Sequence, residues 1–227
     1  MLGARALFDL THSIAGEYLE SFAYPWQALE GLKEWLMATG EGLNREEFMQ
    51  TAPDVWIHYT ACIADTARII GPCIIGARTE LRHCAFLRGG VLVGEDCVVG
   101  NSVEVKNAIL FDRVQVPHYN YVGDSILGYG AHMGAGAVTS NVKSDRSPVV
   151  IHDTVPIPTG RKKLGAMIGD HGEIGCNGVL NPGTVIGRYS SIYPLSSVRG
   201  VIPANSIYKG QGKVIPKEQT GFYDKKG

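Results

Sequence analysis

From Ile75 onward an apolar residue recurs about every six positions, a period that belongs to neither a helix nor an ordinary strand. The series runs Ile75, Leu81, Leu87, Val93, Val99 and Val105, then slips by one to Leu110, Val116 and Val122, and again to Leu127 and Met133. A second run follows at Ile168, Ile174, Leu180, Ile186, Ile192 and Val198. Four positions after many of these stands a small or β-branched residue, as at Thr79, Ala85, Val91, Cys97, Val103, Ala131, Ala137, Thr184, Ser190 and Ser196. Two inward positions in six predict an all-β solenoid, a triangular parallel β-helix in which three hexapeptides make one coil. Glycine commonly follows the apolar residue, where it is expected to supply positive φ at a tight corner.

Three other segments complete the division of the chain. Residues 1–54 are expected to form a helical cap, with a helical hairpin over 11–40. Ile14, Tyr18, Leu19 and Phe22 share one face of it, Pro25 opens the second helix, and Trp26, Leu29, Leu32, Trp35 and Leu36 line that helix. The hairpin is expected to cover the open end of the solenoid, whose strand edges need protection. The solenoid itself is assigned to 55–209. Within it, residues 139–166 break the rhythm for longer than structureless loops usually run, and Val149-Val150-Ile151 and Val155-Pro156-Ile157 suggest a hairpin there. A polar, Lys-rich tail occupies 210–227.

Composition narrows the partners. A net charge of −1 in 227 residues supplies no basic field for nucleic acid, and no apolar run reaches the roughly 20 residues of a membrane span. No signal peptide is read at the N-terminus, and five cysteines without a C-x-x-C pair suit a reduced, cytoplasmic protein. Cys97 falls on an inward position and reads as core.

Candidate chemistry gathers where outward polar residues follow one another: Leu87-Arg88-Gly89-Gly90, Gly100 to Lys106 through Glu104, His118 to Asp124 through Tyr121, and Gly134 to Asn141. These stretches resemble the acetyltransferase half of the bifunctional glucosamine-1-phosphate acetyltransferase and N-acetylglucosamine-1-phosphate uridylyltransferase family. That family reads L-R-P-G, G-N-F-V-E-x-K, H-x-x-Y-x-G-D and G-A-G-x-x-T-x-N. The whole chain is also similar to single-domain pyrophosphorylase-related, nucleotidyltransferase-like proteins. The resemblance spans about Ile70 to Tyr208 and implies a left-handed coil and a homotrimer with clefts between subunits.

The resemblance also implies roles. Arg88 and Lys106 would hold a sugar phosphate, His118 would act as general base with Glu104 orienting it, and Tyr121, Asn141 and Lys163 would contact the sugar. His132 stands at a substrate position where the family has Asn. Cys176 and Tyr193 stand at the coenzyme groove, where the family has Ser and Ala. The implied reaction is acetyl transfer from acetyl-CoA to an amino-sugar 1-phosphate in UDP-N-acetylglucosamine metabolism. Cation pairs suit a dianionic phosphate, and an imidazole near its ordinary pKa suits removal of an amine proton. No Gly-rich phosphate loop opens residues 1–60, so uridylyl transfer is not expected of this chain, and a separate nucleotidyltransferase would supply it.

Two alternatives stay open. One is a non-catalytic trimeric module that binds a sugar phosphate, a nucleotide sugar or a partner nucleotidyltransferase. The other is a zinc enzyme of the γ-carbonic-anhydrase kind using His83, His118 and His132, although no third histidine follows His118 at the spacing such a site needs.

Overall fold

The computed structural model describes residues 2–218 and is a left-handed parallel β-helix of about nine coils with few helices. Three inward ladders alternate along the chain, and their members are the hexapeptide positions themselves. On the first side Leu87, Val105, Val122, Thr139, Leu180 and Val198 stack in register. On the second side the ladder is Ile75, Val93, Leu110, Leu127, Ile168, Ile186 and Ile202. On the third, Leu81 stacks on Val99, and Met133, Ile174, Ile192 and Tyr208 stack farther along. All are buried. Burial of Cys97 in this core pushes its thiol up to about 12, which leaves it protonated and inert.

The glycines that follow the apolar residues do not supply positive φ. Left-handed backbone falls two residues later, at Arg78, Asp96, Ser102, His171, Asn177 and Tyr189 after Gly76, Gly94, Gly100, Gly169, Gly175 and Gly187. The glycines are required by stacking instead. A Cβ on Gly100 would sit 1.6 Å from the Pro117 carbonyl oxygen, and one on Gly94 would sit 2.7 Å from the Asp112 nitrogen. The backbone of the next coil occupies that space.

The helical segment lies along the solenoid and not across its end. It comprises α1 (Ala4–Leu7), α2 (Gly16–Glu20) and α3 (Leu32–Glu41), with 3₁₀ turns at Leu10–His12 and Pro25–Leu29. The second-side strands point a second apolar row outward: Trp56, Ile74, Leu92, Ile109, Ile126, Met167 and Val185, each no more than 1% exposed. That row is what the helices cover. The α3 helix packs on Cys73–Ile75 and Val91–Val93, and the turn Pro25–Leu29 packs on Tyr121–Leu127. Gly40 lies so close to the Trp56 ring that a Cβ there would be 2.3 Å from it.

Polar contacts fix the layer lengthwise. The Asp9 amide donates to Asp170 at 2.7 Å, and the Asp112 amide donates to the His12 carbonyl at 3.1 Å. Phe8 packs on Phe111 with ring centroids 5.2 Å apart. At the first coil, the edge is met by the antiparallel strand Phe48–Ala52 on Val55–His58. At the far end, Val214–Pro216 pairs antiparallel with Ser206–Tyr208. The remainder of the Lys-rich tail, 219–227, lies outside the described residues. No described helix is long and apolar enough to cross a membrane.

The break at 139–166 leaves the coil after Asn141 and rejoins it at Leu164, whose amide donates to the Asn141 carbonyl at 3.0 Å. Between these stems Val150–Ile151 pairs antiparallel with Ile157–Pro158, and Val149, Ile151 and Leu164 are buried.

Candidate functional site

The first side of the solenoid collects most of the polar residues singled out in the sequence. Phe86, Glu104, Tyr121 and Val138 stand in register on successive coils, and Lys106 pairs with Gly123 in the neighbouring row. Arg88 ends the strand Phe86–Arg88 of the same side. Outward positions of a parallel stack lie about 4.8 Å apart, so residues distant in the chain share one surface by register alone.

Within this surface Arg88 Nη1 donates to Glu104 Oε1 at 2.5 Å, and that bond, with the charge of Glu104, raises the guanidinium pKa above its ordinary value. Glu104 was expected beside the His118 ring; its carboxylate is taken by Arg88. Tyr121 is half-buried and its hydroxyl accepts from Asn141 Nδ2 at 3.2 Å. Burial raises the Tyr121 pKa, with the charges of Asp124 and Glu104 adding to the effect, so the phenol stays protonated near neutrality.

At the corner between the first and second sides Asp124 is 3% exposed. Its Oδ1 accepts from Asn107 Nδ2 at 2.8 Å and its Oδ2 from Asn141 Nδ2 at 2.5 Å, while Lys106 Nζ lies 3.7 Å from Oδ2. Asn107, Asp124 and Asn141 thus form an amide, carboxylate, amide stack over three coils. The insertion returns to this same corner, since the Gly165 amide donates to the Asp124 carbonyl at 2.9 Å. A Cβ on Gly165 would be 2.2 Å from the Gly123 oxygen. Lys163 is exposed two residues before that contact, and its carbonyl accepts from Arg161 Nε at 3.3 Å. The residue pattern gives Asp124 and Asn107 no role, although Asp124 closes the H-x-x-Y-x-G-D stretch.

His118 stands at the opposite edge of the first side. It ends the strand Gln115–His118, in register with Asn101, and is exposed. Buried Asn120 shapes this edge by accepting from the His118 amide at 3.1 Å and donating to the Gly134 and Ala137 carbonyls. Asn120, like Asp124, was missed. The row through His118 continues to Ala135 and Cys176, as the amides of Gly136 and Asn177 donate to the carbonyls of His118 and Ala135. Cys176 is exposed two coils beyond His118, and the amide of Leu195 donates to its carbonyl. Tyr193 is 45% exposed and lies under Lys209 Nζ at 5.8 Å from the ring centroid.

His132 is not with this group. It opens a third-side strand beside Gln115 and Glu173, and its Nδ1 lies 2.8 Å from Glu173 Oε2. His83 and His118 are separated in their row by Asn101. Among the described residues no three His, Cys, Asp or Glu side chains are grouped to hold a metal ion.

The His132 pair makes a test of its own. The bond to Glu173 raises the imidazole pKa above 6.5, so the pair adds stability below the unfolded value and loses it as pH rises through the raised folded value. Thermal melts of wild type and Glu173→Gln should therefore differ most on the acid side of pH 6.5 and converge as the ring deprotonates. A difference that grows toward alkaline pH would contradict the assigned partner.

The model of the GMPPB C-terminal domain matches residues 69–161. The bifunctional protein GlmU of Methanococcus maripaludis is 35% identical over 136 residues, which are 60% of this chain and 33% of that protein. The bifunctional sugar-1-phosphate nucleotidylyltransferase/acetyltransferase of Sulfurisphaera tokodaii is 35% identical over 126 residues, 55% of this chain and 31% of that protein. The chain carries a hexapeptide-repeat β-solenoid. It spans about a third of the length of these two curated relatives. Among solved structures, AntD, an N-acyltransferase of Bacillus cereus, aligns with a TM-score of 0.41 at 15% identity, covering 78% of this chain and 94% of its own.

Proposed function

We propose that this solenoid binds an amino-sugar 1-phosphate on its first side and acetylates the amine with acetyl-CoA, in nucleotide-sugar metabolism. The observation that carries the reading is the convergence of Arg88 and Lys106 beside the Tyr121, Asp124 and Asn141 network, with exposed His118 at the edge of the same side. The name of the Sulfurisphaera tokodaii relative, which pairs sugar-1-phosphate nucleotidylyl transfer with acetyl transfer, supports the same substrate class.

In this reading the two cations hold the phosphate, and Tyr121, Asn141 and Lys163 meet the sugar. The amine attacks the thioester carbonyl, His118 takes the proton that the nitrogen sheds, and the tetrahedral adduct collapses as the thiolate leaves. The proton on His118 then passes to the thiolate, so one amide and one free thiol are formed. Cys176 and Tyr193 would line the coenzyme path. A homotrimer would set these residues against a neighbouring subunit. The cytoplasm, where acetyl-CoA and sugar phosphates meet, would be its compartment.

The test is purified protein mixed with glucosamine 1-phosphate and acetyl-CoA while free thiol is followed. Thiol release that needs both compounds is expected, and its absence across a set of amino-sugar phosphates would reject acetyl transfer. A second reading, a non-catalytic module binding a sugar phosphate or a partner nucleotidyltransferase, is favoured by the Glu104 carboxylate being bonded to Arg88.

Binding separates from catalysis through the cations. Lys106→Ala should weaken affinity for the sugar phosphate by about 1.5–3 kcal/mol, the usual worth of a hydrogen bond to a charged group. Arg88→Ala should weaken it in the same direction, and neither change should alter affinity for the unphosphorylated sugar. Calorimetric titration with both ligands checks this, and equal losses for the two would remove the phosphate from this place.

A further inference from the structure

We infer that Asp124 is the positioning residue of this anion site, holding Lys106 and Asn141 in place for a phosphorylated ligand; the inference rests on the reading proposed above. The position just before the second-side strands, from Val55–His58 to Thr184–Ile186, is Asp54, Pro72, Gly90, Asn107, Asp124, Gly165 and Gly183 on successive coils. Gly90 and Gly183 have positive φ there, and Asn107 and Asp124 adopt the same left-handed backbone at φ 46° and 48°. Side chains stand at this corner at Asp54, Pro72, Asn107 and Asp124, and of these Asp124 is the one that buries a charge, at 3% exposure and at a cost in desolvation.

What Asp124 gains for that cost is a set of neighbours. Its two oxygens are occupied by the Asn107 and Asn141 amides, and Asn141 in turn reaches the Tyr121 hydroxyl. Lys106 is held differently. At 3.7 Å its ammonium is within ion-pair range of Oδ2 but outside hydrogen-bond range, and its side chain is 25% exposed. The carboxylate thus fixes the direction of the lysine and leaves its N–H donors for an incoming anion. Arg88 gives one N–H to Glu104 through Nη1 and keeps its remaining donors for the same anion.

The geometry makes Asp124 act through Lys106, which is what the experiment measures. Glucosamine 1-phosphate is titrated calorimetrically into wild type, Asp124→Asn, Lys106→Met and the double variant. Asp124→Asn should lower affinity about tenfold or more, as loss of a residue that orients a ligand-binding group commonly does. In the Lys106→Met background the same change should cost less than about threefold, because the group it orients is gone. Asp124→Gly, which restores the residue type of Gly90 and Gly183, should melt like wild type and bind as poorly as Asp124→Asn, so a folding defect is separated from a binding one.

Unchanged or tighter binding by Asp124→Asn would overturn the inference, since it would mean that the carboxylate only repels the phosphate. An equal loss in both backgrounds would overturn it too, as the mark of a structural role. Wild-type protein that binds no sugar phosphate would remove the proposed function and this inference together. Wild-type binding with unaltered Asp124 variants would remove the inference alone.

Discussion

Replacing His118 with Ala should lower turnover by about 10²-fold or more, within the usual contribution of a general base, while leaving affinity for the sugar phosphate nearly unchanged. The separation follows from position. His118 sits at the edge shared by the third and first sides, whereas the cations and the Asp124 stack occupy the other edge. Thiol release and calorimetric titration of both proteins read the two expectations together. A variant that keeps wild-type turnover would reject the base assignment, and a matching loss of affinity would make His118 a binding contact.

The largest expected effect on stability is at Trp56. Its ring is 1% exposed at the start of the outward second-side row, and α3 approaches it at Gly40. Trp56→Ala should cost about 3–5 kcal/mol, the range for emptying a buried aromatic site, and lower the melting temperature by roughly 6–20 °C for a chain of this size. Trp56→Phe should cost much less. The indole Nε1 is buried with no hydrogen-bond partner among the described residues, so the substitution removes ring volume but no bond. Melting of both variants by circular dichroism decides the matter. If Trp56→Ala melted within 2 °C of wild type, the helices would contribute little to holding the fold.

The inward ladders were legible because hexapeptide spacing places them directly; every apolar position from Ile75 to Val198 named from the sequence is buried. The direction in which the helices pack was not read, yet its signal was there. Cys73-Ile74-Ile75, Val91-Leu92-Val93 and Ala166-Met167-Ile168 are runs of three apolar residues, and a strand apolar on both faces is buried on both faces. The recurrence of such runs at one side in three identifies the side that a second layer covers. The corner glycines are a different case. Spacing identified the corner, but whether a glycine there serves backbone conformation or close approach depends on the coil above, which no single hexapeptide contains.

For the candidate site, the residue pattern named the outward side chains and register gathered Arg88, Glu104, Lys106, Tyr121 and Asn141. It did not say which of them would bond to one another. Glu104 bonds to Arg88, a choice set by side-chain geometry that register alone does not contain. His132 was grouped with these residues by resemblance at its position alone, and its place on the third side beside Glu173 follows from where the coil turns at Gly128 to Ala131.

A bare stack of coils touches itself only through nearest neighbours, so it can fray from one end a coil at a time. The lengthwise helical layer removes that freedom here. It rests on Trp56 in an early coil, meets Phe111 in the middle and is tied by Asp9 to Asp170 farther along, so those coils cannot open one by one without shedding the layer common to all of them. The consequence is a single cooperative unit across that length, with progressive opening confined to the coils beyond it.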